Sequence, residues 1–211
     1  AALVTTGSLV EVSDATVTLS DTPSISALNA IAAKTTGVLT ATLAADSLSN
    51  LGSLSTASTD AITITVNDAD AASVTAANLS TLGGKTSGTV TVTNAVAISG
   101  NTSEVTAALV TSGSLVEVSD ATVTINDADG VALNASDLSA IGAKTTGTVT
   151  VTNAVAISGS RAEATAALVT RGSLVEVSDA AVTINDADAT ALNATDLSAI
   201  GAETTGTVTV T

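Results

Sequence analysis

The amino-acid sequence predicts an all-β fold, a right-handed parallel β-solenoid of about eight coils, on three observations. First, a block of 59 residues recurs almost verbatim: Ala107–Thr152 and Ala166–Thr211 differ at six of 46 positions. A fixed period of that length marks stacked units, each burying its apolar face only against its neighbours. Second, apolar and polar residues alternate in short Val/Thr-rich runs such as Thr148–Thr152 (TVTVT), the pattern of half-buried strands. Third, the 211 residues are 45% apolar yet include no Phe, Tyr or Trp, so Val, Ile, Leu and Ala must build a thin, layered interior.

The chain reads as a single repeat domain, 1–211, divided into units 1–47, 48–106, 107–165 and 166–211. The first unit is degenerate: it falls short of the full frame and carries the only proline, Pro23. The last is truncated. Each full block is expected to make two coils. Aligning Leu115–Asp120 (LVEVSD) with Thr148–Asn153 (TVTVTN), and Thr122–Ile125 with Ala154–Ile157, sets Val116 over Val149, Val118 over Val151 and Ile125 over Ile157. Coil starts then fall at Leu115, Thr148, Leu174 and Thr207. Longer coils of about 33 residues alternate with shorter ones of about 26 residues, both within the size range of solenoid repeats. At roughly 4.8 Å per coil the stack is a rod on the order of 35 Å long.

Alternation turns Val116, Val118, Val149 and Val151 inward and Glu117, Thr148, Thr150 and Thr152 outward. Asp14, Asn94, Asp120, Asn153 and Asp179 follow the first strands and suit sharp corners, because Asp and Asn tolerate left-handed backbone. On the third side a short helical turn is expected. Ser160–Glu163 (SRAE) is a capping box and Asn101–Glu104 a looser one, leading into the Ala-rich Ala164–Val169 with Gly172 just beyond. In the longer coil Asn134 or Ser136 would cap a turn carrying Leu138 and Ile141 up to Gly142, and Thr195, Leu197, Ile200 and Gly201 repeat it. A bulged third strand is the alternative, since such short segments are unstable as isolated helices. Ala45–Ser58 lacks the strand pattern and reads as a loop or helical turn.

Charge and composition exclude several classes of function. The net charge is −15 with five basic residues, which disfavours nucleic acid and anionic lipid. No apolar run approaches the roughly 18 residues of a membrane span, so no direct membrane insertion is expected. Cys and His are absent, which removes disulfides, thiolate chemistry and the usual acid–base pair. Lys34, Lys85 and Lys144 share one repeated column, and an enzyme is not expected. Met is absent too, and Thr211 ends inside TVTVT where earlier copies continue into Asn94–Ile98 and Asn153–Ile157. The chain is therefore expected to be an excerpt of a longer array, with any signal or anchor lying elsewhere.

Two surface patterns carry candidate chemistry. Asn-Asp-Ala-Asp recurs at 67–70, 126–129 and 185–188, placing Asp68, Asp70, Asp127, Asp129, Asp186 and Asp188 at equivalent corners. Carboxylates with loop carbonyls are the ligands calcium takes, so calcium is the candidate metal; a solvated acidic turn is the plain alternative. Thr89/Thr91/Thr93, Thr148/Thr150/Thr152 and Thr207/Thr209/Thr211 form rows that resemble those of antifreeze solenoids. Glu117 and Glu176 fall into the same stacks and spoil a flat match to ice.

Ala143–Ser160 (AKTTGTVTVTNAVAISGS), Ser119–Asp129 (SDATVTINDAD) and Ala135–Gly147 (ASDLSAIGAKTTG) resemble the repeat regions of giant cyanobacterial and other aquatic-bacterial cell-surface proteins. That group includes the surface protein required for swimming in some marine cyanobacteria. The resemblance implies an exported, extracellular, filamentous or adhesive protein, and it brings no catalytic residue. The expected function is a structural stalk, spacer or filament that assembles with copies of itself, end to end through Leu9–Val12 and Thr207–Thr211 or laterally. The alternative is an adhesin-type module that binds calcium at its acidic corners, or a glycan, a surface or ice on a strand face.

Overall fold

The fold is described from a computed structural model that covers residues 13–111, 116–170 and 175–211. In chain order its elements are β1 (Val17–Thr18), α1 (Ile25–Ala32), β2 (Leu39–Thr42), α2 (Leu48–Leu51), β3 (Ala61–Val66), β4 (Ser73–Thr75), α3 (Ala76–Gly83), β5 (Val90–Val92), β6 (Ala97–Gly100) and α4 (Thr102–Val105), which runs into a π turn over Thr106–Val110. Then come β7 (Val116–Val118), β8 (Thr122–Ile125), β9 (Ala132–Asn134), α5 (Ala135–Gly142), β10 (Val149–Val151), β11 (Ala156–Gly159) and α6 (Arg161–Ala164), with a second π turn over Thr165–Val169. The last are β12 (Val175–Val177), β13 (Ala181–Ile184), α7 (Ala194–Ala202) and β14 (Val208–Val210). The expected coil starts at Leu115 and Leu174, the edge segment Leu9–Val12, and Gly172 lie outside the described residues.

This architecture is mixed α/β, which overturns the expectation of an all-β, right-handed β-solenoid. Helices recur between the strands. The strands form three separate, open parallel sheets, in the orders β1-β2-β3-β5-β7, β12-β10-β8-β6-β4 and β14-β13-β11-β9. Packing is the physical reason the helices outgrow the single turn expected of them. Each is too short to persist alone, but each buries apolar residues in the core, and all but α5 carry a side-chain hydrogen bond at the N-cap. In α5 the buried residues are Ala135, Leu138, Ile141 and Gly142, on one face at helical spacing. α5 ends at Gly142, the residue expected to stop it, with Ala143 at the C-cap. α3 packs on the π turn after α4, that turn on α5, α5 on the π turn after α6, and that turn on α7. Both capping boxes form, Asn101 with Glu104 and Ser160 with Glu163. Within Ala45–Ser58 the chain makes α2, capped by Ser47.

The strand register also differs from the expected alternation of longer and shorter coils. Val149 pairs with Val123 on one side and Val175 on the other, at equal steps along the chain, and Val116 pairs with Val90 at the same step. Ile157 pairs with Leu133 and Val182, and Ile125 with Val151. In the repeat region every partner stands at nearly this one separation, so two steps fall short of a full block. Each block therefore enters the next sheet along. The strand over Val116–Val118 closes one sheet at β7, and its copy over Val175–Val177 closes the next at β12. Exposed Glu117 and Glu176 sit on these two edge strands, where charge discourages further pairing.

The core is one continuous aliphatic cluster. In β3, Ile62, Ile64 and Val66 face inward and Thr63 and Thr65 outward. One inward ladder runs Val74, Ile98, Val123, Val149, Val175 across a whole sheet. Burying each such side chain contributes roughly 1.5–3 kcal/mol, and only while the adjoining strand is in place. No helix among the described residues is long and apolar enough to cross a membrane.

Candidate functional site

The acidic corners follow β3, β8 and β13. The first Asp of each reaches back to a helix start in the preceding layer. Asp68 Oδ2 accepts from Leu48 N at 2.7 Å, Asp127 Oδ2 from Thr102 N at 2.7 Å and Thr102 Oγ1 at 2.6 Å, and Asp186 Oδ2 from Arg161 N at 2.7 Å. These N–H groups open α2, α4 and α6 and have no partner within their own helix. The second Asp reaches the other way. Asp70 Oδ1 accepts from Ala95 N and Asp129 Oδ1 from Ala154 N, each at 3.1 Å. Asp188 holds the same place in the last corner and is exposed. The amide groups of Asn94 and Asn153 donate to the carbonyls of Asp68 and Asp127 at 2.6 Å.

The corners are thus brackets between layers. Each of Asp68, Asp70, Asp127 and Asp129 commits one carboxylate oxygen to backbone in a neighbouring layer, whereas calcium takes six to eight oxygens. Among the described residues no group of three or more His, Cys, Asp or Glu stands close enough to hold a metal ion. The turn itself needs left-handed backbone: φ is 60° at Ala71, 74° at Gly130 and 64° at Ala189, equivalent positions one residue past the second Asp. Asp120 is not stacked on Asn153. It accepts from Ser119 Oγ at 3.1 Å, as Asp179 does from Ser178.

A second bracket, which the sequence reading did not single out, is Thr-Thr-Gly after each longer helix, with Thr-Ser-Gly at 86–88. Thr145 Oγ1 donates to Ala121 O at 2.5 Å and accepts from Gly147 N at 3.0 Å. Thr35, Thr86 and Thr204 make the same bond to Ala15, Ile62 and Ala180 at 2.6, 2.7 and 2.6 Å. The signal available was the recurrence of Thr two residues before Gly at every such helix exit. Of the lysine column, Lys85 donates from Nζ to Gly52 O at 2.8 Å and Leu54 O at 2.5 Å.

The threonine rows lie on the outer strand faces, and Thr91 pairs with Glu117 and Thr150 with Glu176. Thr150, Thr152, Glu176 and Ser178 line a shallow groove of about 480 Å³. A second cleft, of about 440 Å³, opens between α4 with its π turn and the segment from β9 into α5. Thr102, Thr106, Asp127, Leu133, Asn134 and Asp137 line it, with the Thr106 hydroxyl oxygen buried and unbonded. One block later the equivalent of Thr102 is Arg161, whose guanidinium Nη1 bonds Asp196, the equivalent of Asp137.

No family model, no curated protein and no solved structure matches the chain.

Proposed function

We propose that the chain is a structural repeat segment of an exported cell-surface protein, serving as a rigid stalk, spacer or filament. The observation that supports this is the unbroken pairing step. The ladder Val74–Ile98–Val123–Val149–Val175 crosses two block boundaries without a change of register. Consecutive blocks therefore share sheets instead of folding side by side. The corner and Thr-Thr-Gly side chains are spent on the same task, layer-to-layer hydrogen bonding. Immunogold electron microscopy of the source cells with an antibody against this chain tests the reading. Label along filaments or a surface coat is the expected result, and label confined to the cytoplasm overturns it.

The groove beside Glu176 favours one second reading, an adhesin-type module that takes a glycan or a mineral surface on its strand face. Binding to glycan arrays that is lost in Thr150→Val would favour that module over the stalk.

A further inference from the structure

We propose that the cleft bounded by Thr102, Asp127 and Asp137 receives the guanidinium group of an arginine side chain on a partner polypeptide. The same cleft occurs twice in the molecule, once open and once filled. In the later copy Arg161 replaces Thr102 and places its guanidinium on Asp196, with the two side chains 31% and 28% exposed. Most of the frame around it is retained, with Asp186 for Asp127, Asn193 for Asn134, Leu192 for Leu133 and Thr165 for Thr106, while Ser103 becomes Ala162 and Val131 becomes Thr190. The filled copy therefore displays the group that this shape and charge accommodate.

The asparagine beside each acid is bonded differently in the two copies. In the open copy Asn134 Nδ2 donates to Asp137 Oδ2 at 3.1 Å, and its side chain makes no cap on α5. In the filled copy the guanidinium supplies that donor. Asn193 Oδ1 is then turned to the helix and accepts from Thr195 N at 2.8 Å. Asp137 thus borrows a neutral amide where Asp196 has a cation, and a charged donor on a carboxylate is the stronger of the two. The preceding block provides a contrast: Asn78 stands where Asp137 does, and α3 is capped by Thr75.

Guanidinium suits the place better than ammonium. It is planar, weakly hydrated and able to present two parallel N–H groups to one carboxylate, and its aliphatic stem can cover Leu133 and Ala132. Arg161, tethered from the cleft wall, leaves Nε buried and unbonded. An arginine entering from solvent is free of that tether. The net charge of −15 draws cationic segments toward the surface.

The test is a ¹⁵N NMR titration of the full chain with N-acetyl-argininamide, N-acetyl-lysinamide and free arginine. The expected result is saturable binding of the arginine amide with a dissociation constant on the order of millimolar. The Asn134 side-chain amide and the Ser136 backbone amide should move together, as the asparagine turns from acid to helix. Thr102→Arg, which copies the filled cleft, should abolish the response. Asp137→Asn should weaken binding at least tenfold and serves if the first variant fails to fold. Shifts that do not saturate, or that persist unchanged in both variants, overturn the proposal. Equal binding of the lysine amide overturns the guanidinium assignment, and tighter binding of free arginine overturns the polypeptide source.

Discussion

Gly147 lies against the backbone of Ala121 in the layer before it, so close that a Cβ would stand 2.7 Å from the Ala121 carbonyl carbon and 2.8 Å from the Asp120 carbonyl oxygen. The obstacle is backbone that is itself tied into the stack, so it cannot swing aside. Gly147→Ala is expected to destabilise the chain by about 1–3 kcal/mol, in line with other overpacked sites. Gly201, inside α7, has nothing within 4 Å of the same added atom. Gly201→Ala should stabilise by about 0.5–1 kcal/mol through helix propensity and a less free unfolded chain. Denaturant midpoints of the two variants should move in opposite directions; movement in the same direction would refute the close-approach account.

The left-handed position of the acidic corner gives a second pair. Gly130 occupies it without strain, while Ala71 and Ala189 hold φ of 60° and 64° with a Cβ. A non-glycine residue there costs roughly 1–2 kcal/mol. Ala189→Gly should recover part of this, and Gly130→Ala should cost a similar amount with nothing nearby to clash. Thermal unfolding of both variants checks the pair. A loss of stability on Ala189→Gly would mean that the turn adopts another conformation in solution.

What the sequence revealed and what it hid divide along physical lines. The inward face of β10, Val149 and Val151, was legible, because alternation acts within one strand. The capping boxes at Asn101 and Ser160 were legible for the same reason: all their atoms lie within a single helical turn. The register was not. Val116–Val118 and Val149–Val151 look alike as strings, yet likeness does not decide which strand lies next in space. That choice is made by bonds between layers, such as Thr145 to Ala121 and Asp127 to Thr102. The helices were underestimated because isolated stability is a poor guide to α5, which is held by the π turns on either side. The corner aspartates were placed correctly at corners, but their partners lie a whole layer away along the chain and no local pattern names them. The cleft at Asp137 was hidden until Thr102 and Arg161 could be seen as two states of one position.

Acid should loosen α2 in a defined way. Asp46 accepts from the Asn50 side-chain amide and from Ser47 N, both at 2.8 Å. Those bonds, the Asn50 one foremost, hold its carboxyl below the usual carboxylate value of about 4. A lowered folded-state pKa contributes stability that is present above the unfolded value and is lost as pH falls through the folded one. The stability gap between the native chain and Asp46→Asn should therefore be constant near neutral pH and shrink below about pH 4. A gap that widens as the pH drops would reverse the sign of this argument.

Asp127 tests whether the corners hold layers together. Its Oδ2 takes both the N–H and the hydroxyl of Thr102, so one oxygen caps α4 and ties it to the layer that follows. Asp127→Ala strands both donors and should cost about 1–3 kcal/mol, the range for a lost cap combined with an unpaired polar group. Asp127→Asn keeps an acceptor of the same shape and should cost less than half of that. Asp129→Ala removes only one long bond, to Ala154 N at 3.1 Å, and should cost less again. Amide exchange at Thr102 through Val105 should quicken in Asp127→Ala and remain nearly native in Asp129→Ala, since the second carboxylate points to the opposite layer. Equal quickening in both would make the corner a general acidic patch and sink the bracket assignment.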